Sequence, residues 1–393
     1  MSAAALSTTL IHGGSMSSAP SSLHLARGFD ADPFASFTLP SEHYVDSRLF
    51  EQEMELIFCK TWQYVCHVSA LAQAGDYYVR DLGRQSALVV KDKDGDFKAF
   101  HNVCQHRAHR LVEGSGHVPG LLTCPYHAWT YNTQGQLVSA RKSEHLKDFC
   151  TEQVQLVPIR LEVFCGFIFI NFDSKCASMQ ALLPGLEDSI RSFAPAPEKL
   201  SHAYSKNYSV QSNWKVSVEN YSECYHCPMC HPTLSMATLD LKSYHLAIHE
   251  HYHAHVSHDS GTNQGYTMKE TSPQSRQFGA WYLWPNFCLE VYPGGYMNVL
   301  HHIPIAVDHT LQVVEWFCDA ATPTREEQEV IDFVAVIREE DVPLCASVQR
   351  GLSSDGYQQG RFVVDPGLGA NSEHAVHDIQ KKTLAALGLL TPS

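Results

Sequence analysis

The chain has 393 residues, 44% hydrophobic and 18% charged, which is room for one large folded domain or two ordinary ones. A formal net charge of −14 argues against nucleic acid or an anionic membrane as the main partner, and no run approaches the roughly 20 apolar residues of a membrane span. Thirteen cysteines make an odd number for a disulfide framework, so reduced thiols in a cytoplasm, some of them metal-bound, are expected.

Residues 1–40 read as a disordered tail. The first 30 are rich in Ala and Ser and lack both a basic n-region and a compact apolar h-region, so no secretory signal is expected there. Residues 41–66 form a helical segment with Phe50, Met54, Ile57 and Phe58 at helical spacing. Residues 67–175 change to short alternating runs, with hairpin signals at "KDGD" and "NTQGQL", and read as a small all-β unit. A larger α+β unit follows over 176–393. It has a helical stretch at 180–200, a helix over 213–226 with Trp214, Val218 and Tyr221 in phase, and β-rich texture from 244 to 318. Helical patterns at 324–351 and 372–388 complete it.

The all-β unit holds Cys104-x-His106 and, after 17 further residues, Cys124-x2-His127. Four such ligands suit either a structural zinc ion or a Cys2His2 iron–sulfur centre. Zinc fingers usually put both cysteines on one side and both histidines on the other. One Cys and one His in each pair suits a [2Fe–2S] cluster with two thiolates on one iron and two imidazoles on the other. That ligand set moves the potential to about −150 to +300 mV, against about −400 mV for all-cysteine plant-type clusters.

A second concentration of ligands is "ECYHCPMCHP", residues 223–232. Cys224, Cys227 and Cys230 start an iron–sulfur spacing, but Leu234 stands where a fourth cysteine would be needed. His226 and His231 instead suit the two-histidine, one-carboxylate triad of non-haem Fe(II). Five positions apart, they would diverge by about 140° on an ideal helix, so a local distortion is expected, with Pro228 as its cause. The three cysteines then read as buried packing residues. A carboxylate must come from elsewhere. Asp341 lies on the apolar stripe of Ile331, Val334 and Ile337, and periodicity leaves Glu340 open as well.

Cys104 to Leu111 (C-x-H-R-x-x-x-L) and Cys124 to Trp129 (C-P-Y-H-x-W) resemble the signature of Rieske non-haem iron oxygenases. Asn213, Trp214, Lys215, Asn220, Glu223, Tyr225, His226 and His231 match that family's second motif in order. The resemblance spans nearly everything after residue 40. It implies a terminal oxygenase (alpha) subunit, with an N-terminal all-β Rieske domain followed by a catalytic domain of antiparallel sheet flanked by helices. It also implies a [2Fe–2S] cluster on Cys104, His106, Cys124 and His127, a mononuclear Fe(II) on His226, His231 and Asp341, and O2 as co-substrate.

Glu223 would bridge His127 of an adjacent subunit to His226, with Asn220 part of the same centre. A homotrimer and a separate NAD(P)H-dependent flavin/iron–sulfur reductase follow from the same resemblance. The family mostly has Asp at the position of Glu223. The departure, with "FGAWYLWPNFCLEVYP" and other C-terminal stretches, is similar to the carnitine, glycine betaine and stachydrine oxygenases. That subgroup implies a small quaternary ammonium substrate, undergoing N-demethylation or C–N cleavage. The alternatives are an aromatic carboxylate hydroxylase or, outside enzymes, a Rieske electron carrier. Aromatic faces attract quaternary ammonium ions, so Trp281, Tyr282, Trp284, Tyr292 and Tyr296 are candidate substrate contacts. His249, His251, His253 and His255 alternate and read as exposed imidazoles on one strand face.

Overall fold

A seven-stranded antiparallel sheet carries the C-terminal half of the computed structural model, which describes residues 22–270 and 272–390. Its strands, in spatial order, are Ser201–Val210, His309–Cys318, Tyr296–Ala306, Phe287–Tyr292, Gln277–Leu283, Tyr252–Asp259 and Leu239–Ile248. Side chains alternate faces along each strand. Trp281, Leu289, Val291, Met297, Val299 and Phe317 therefore fill one core, together with Tyr64, Phe167 and Phe169 of the N-terminal β-unit. Ala280, Tyr282, Cys288, Tyr292, Leu300 and Trp316 fill the other, against the helices Trp214–Tyr221 and Arg325–Leu352. The second core holds the site.

The N-terminal unit is all β, as expected. Both hairpins form: Gln85–Lys91 pairs with Phe97–His101, and Thr130–Asn132 with Leu137–Ser139. Gly95 and Gly135 take the left-handed conformation that such turns require. The expected 41–66 helix is shorter. It runs through Ser47–Glu53, continues as a π-helical turn to Phe58, and gives way to the strand Gln63–His67. That strand pairs with Phe167–Asn171, a long-range partner that helical periodicity cannot reveal.

Part of the expected disordered tail is held in place. Leu39 is buried and its amide donates to Gln380 Oε1 at 2.7 Å, Arg27 donates to Gln358 at 3.0 Å, and Phe29 stacks on His377 at 4.8 Å. These partners lie more than 300 residues away in sequence. Residues 1–21 lie outside the described residues. Among the described residues, no helix is long and apolar enough to cross a membrane.

Candidate metal centres and active site

The helix Trp214–Tyr221 presents the site, and its first turn explains the residues Asn213, Trp214 and Lys215. Asn213 caps the helix, accepting from the Lys215 amide at 3.0 Å. Trp214 packs edge-on against Phe58 and donates to Glu53 at 2.7 Å. Lys215 reaches both oxygens of the same carboxylate at 2.6 and 2.8 Å, with lysine and glutamate fully buried. Alone, either charge would be intolerable there; paired, they lock this helix to the N-terminal segment.

The helix ends at Tyr221, five residues short of the expected stretch. Glu223 Oε2 accepts the backbone N–H groups of Tyr225 and His226, and a side chain that takes amides competes with the helix for them. Pro228 kinks nothing; it lies in the first turn of a separate short helix, Cys227–Cys230. Nor are the three cysteines all free packing residues. Cys224 and Cys227 form a disulfide, and Cys230 is a half-buried thiol.

His226 and His231 bracket that short helix and converge, their Nε2 atoms 3.2 Å apart. Asp341, from the long helix, places Oδ1 at 3.0 Å from His231 Nε2 and 3.6 Å from His226 Nε2. Among the described residues these three form the group whose donor atoms all lie within 4.8 Å of one another. Two imidazoles and a carboxylate on one side of a centre fit a facial-triad iron. Both rings are backed by carboxylates: His226 Nδ1 donates to Glu223 Oε1 at 2.5 Å and His231 Nδ1 to Glu340 Oε2 at 2.7 Å. Such partners fix tautomer and ring orientation and raise ligand basicity. Neighbouring positions on the long helix thus serve two purposes, Asp341 toward the centre and Glu340 behind a ligand. Replacing Glu340 by Ala is expected to weaken iron binding by about 10–100-fold, read as metal retention against a chelator series.

Asn220 Nδ2 donates to Asp341 Oδ1 at 3.2 Å, and the Arg338 guanidinium lies 3.8 Å from Oδ2. Burial pushes the Asp341 carboxyl up, but the two histidines and Arg338 outweigh it and hold it well below the usual carboxylate range. Burial likewise pushes His226 down, and the carboxylates of Asp341 and Glu223 overcome it, raising the imidazole to about 10. Metal uptake at neutral pH must therefore displace a proton.

In the β-unit, Cys104 and Cys124 are buried and face each other while His106 and His127 sit toward the surface. The two ligand loops repeat one geometry. The amides of Ala108 and Ala128 bond the carbonyls of Cys104 and Cys124, and the cysteine amides bond the carbonyls of His109 and Trp129. The imidazoles lie 4.7 Å apart between centroids, and His106 stacks on Trp129. His127 Nδ1 is buried without a hydrogen-bond partner among the described residues, an orphan that a metal would satisfy. Tyr131 bonds the Cys104 sulfur at 3.4 Å. Thiols inside and imidazoles outside fit a two-iron cluster with mixed ligands.

Comparison with known proteins agrees with both centres. Residues 61–150 match the Rieske [2Fe-2S] domain, and residues 197–388 match the ring hydroxylating alpha subunit (catalytic domain). The carnitine monooxygenase oxygenase subunit of Escherichia coli (strain K12) is 36% identical over 355 residues, covering 90% of this chain and 94% of that protein. The chain is a Rieske oxygenase alpha subunit. Chloroplastic choline monooxygenase of Beta vulgaris is 30% identical over 372 residues, covering 91% and 81% respectively. The crystal structure of the quaternary ammonium Rieske monooxygenase CntA with L-carnitine superposes with a TM-score of 0.81 at 34% identity, covering 91% of this chain and 97% of that one. The oxygenase is accordingly an enzyme that uses a Rieske cluster, a mononuclear iron and O2.

Beside the triad lies a cavity of about 80 Å3. Of the five aromatic side chains expected at the substrate, only Tyr292 lines it. Trp281 falls on the opposite sheet face, bonded to Ser189 and packed on Phe193. Tyr282 turns its hydroxyl to the Pro285 carbonyl, Trp284 packs on Trp214, and Tyr296 bonds the Thr267 carbonyl. Strand alternation accounts for Trp281 alone; Tyr282, Trp284 and Tyr296 share the core of Tyr292 without lining the cavity. Tyr221, Tyr244, Phe278 and His255 were missed. For Phe278 a signal was available, since strand pairing sets it on the same sheet face as Tyr292. The expectation for the histidine run also fails. His249 and His251 precede the strand, whereas His253 and His255 are buried on its inner face, His253 bonded to Asp378 at 2.7 Å.

Proposed function

We propose that this oxygenase hydroxylates a small quaternary ammonium compound at a carbon bonded to nitrogen. The cavity beside the triad carries the reading. Four aromatic rings (Tyr221, Tyr244, Phe278 and Tyr292) wall it, and three carboxylates (Glu223, Glu290 and Asp341) face it against one guanidinium, Arg338, already bound to Glu290 at 2.9 Å. Aromatic faces favour a cation; with the iron's two positive charges counted, the three carboxylates and Arg338 leave the wall close to neutral, so the rings carry the preference for an ammonium ion. The carnitine and choline monooxygenase relatives point the same way.

In this reading Cys104, His106, Cys124 and His127 hold the cluster, and His226, His231 and Asp341 the mononuclear iron, which supplies O2 activation when bound. Asn220 and Arg338 fix the Asp341 carboxylate. Glu223 orients His226 and, through its remaining lone pairs, accepts from His127 of a neighbouring subunit. His106 and His127 make no hydrogen bond or ring contact outside the β-unit among the described residues, which leaves their outer edges for such a neighbour. The assembly is then a homotrimer fed by a separate NAD(P)H-dependent reductase. An N-methyl group hydroxylated here becomes a carbinolamine, which loses formaldehyde to leave the tertiary amine.

A single turnover tests this. The iron-loaded oxygenase is reduced, freed of reductant, and given O2 with carnitine, glycine betaine, stachydrine or an aromatic carboxylate. Formaldehyde or a C–N cleavage product from an ammonium compound is expected by mass spectrometry. Hydroxylated aromatic acid as the sole product would overturn the cation reading while leaving the iron chemistry intact.

A further inference from the structure

His255 is 4% exposed and belongs to the cavity beside the triad. Its Nδ1 lies 2.5 Å from the Tyr244 hydroxyl, and its Nε2 has no hydrogen-bond partner among the described residues. On the next strand its register partner is Ala280, whose methyl cannot bond to it. A buried imidazole nitrogen without a partner is costly, and on a residue that lines a cavity it is a candidate to meet a ligand atom.

The direction of that bond follows from Tyr244. His255 Nδ1 is the hydroxyl's only hydrogen-bond partner among the described residues, so the phenol must donate to Nδ1 or leave its own proton unpaired in a buried wall. Burial holds His255 down at about 3, hence neutral, and raises the phenol. A neutral ring that accepts at Nδ1 carries its single proton at Nε2. His255 thus offers the cavity's wall a neutral N–H donor of fixed tautomer, alongside the Tyr221 hydroxyl and Arg338 Nε, which also have no hydrogen-bond partner among the described residues.

We propose that His255 Nε2–H binds an acceptor oxygen of the substrate, a carboxylate or a hydroxyl, carried on the chain beyond the ammonium head. This rests on the quaternary ammonium reading above and adds to it which end of the molecule is recognised, and by what. The ammonium methyl groups lie toward the triad and the oxygen toward His255. A neutral donor suits that end: it meets a carboxylate or an alcohol without adding a positive charge to a cavity that must hold a cation. Tyr244 is the positioning residue, imposing the tautomer.

Calorimetric titration of the anaerobic, iron-loaded oxygenase tests it with three probes of matched chain length: γ-butyrobetaine, the corresponding trimethylammonium alcohol, and butyltrimethylammonium. The wild type is expected to bind one or both oxygen-bearing probes about 10–100-fold more tightly than the plain alkyl ion, the loss typical of a buried donor left unpaired. Which of the two gains more identifies carboxylate or hydroxyl. His255→Leu is expected to erase the difference while still binding butyltrimethylammonium, and Tyr244→Phe to reduce it. An unchanged preference in His255→Leu overturns the proposal and spares the ammonium reading. If the wild type binds none of the three, the ammonium reading itself falls and takes this with it. If His255→Leu binds nothing, His255→Gln decides, because its amide N–H can still donate: retained preference supports the assignment and lost preference overturns it.

Discussion

Asp341→Ala is expected to leave the Rieske cluster in place and remove the mononuclear iron, so that iron falls from about three to about two per chain. Asp341 supplies the one anionic oxygen among the three converging donors, and it is 4% exposed. Without it two neutral imidazoles remain, and the amide of Asn220 loses its acceptor. Product formation should drop by more than the roughly 100-fold that loss of an outer hydrogen-bonding partner can cost, because a direct ligand is gone. Iron analysis together with the visible absorption of the cluster checks this. Asp341 also lies 3.8 Å from Arg338, so a purely structural role has its own signature. Normal iron content with a lowered melting temperature would show that the carboxylate serves the guanidinium and not the metal.

Glu223→Gln is expected to keep both metal sites filled and to abolish coupled turnover, with a fall in multiple-turnover rate of at least about 10–100-fold. The carboxylate uses Oε1 for the His226 ring and Oε2 for two backbone amides. An ionised carboxylate has about four lone-pair sites, enough for one more donor from a neighbouring subunit. An amide has one oxygen, so it can serve the local turn or the bridge but not both. Product from a pre-reduced single turnover, compared with steady-state rates under a reductase, separates the roles. If the variant loses iron but turns over normally once reloaded, Glu223 only orients His226. If both readouts are unchanged, the bridging role falls. The carboxylate thus meets a ring three residues on with one oxygen while the other closes the turn at Tyr225, just past the end of the helix.

The candidate cysteine and histidine ligands of both centres stand out in the chain because ligand chemistry demands particular side chains at short, fixed spacings. Cys104-x-His106 and Cys124-x2-His127 each lie within one loop, and His226 and His231 at the two ends of one short helix. Local sequence therefore carries most of their geometry. The fold class was legible for a related reason: Gly95 and Gly135 mark turns that few other residues allow, and the Arg325–Leu352 helix announces itself by Val330, Ile331, Val334 and Ile337 at helical spacing.

What failed were statements about partners far away in sequence. Gln63–His67 became a strand because Phe167–Asn171 was there to pair with it. Residues 24–40 were ordered by Gln358, His377 and Gln380. The helix from Trp214 was cut short by a carboxylate two residues past its end. Asp341 shows where the division lies. Sequence alone set Asp341 on the apolar stripe and left Glu340 open beside it, and family resemblance chose Asp341. The tertiary structure gave each a distinct place, with Oδ1 of one among the converging nitrogens and Oε2 of the other behind His231.

By itself, then, the sequence determined which chemistry the chain could perform, since the donor types and their local spacing are covalent facts. Only the tertiary structure decided which aromatic rings and which histidine meet a substrate. That depends on strand register, where a shift of one residue exchanges the faces of a sheet, and register is set by long-range packing that no local pattern contains.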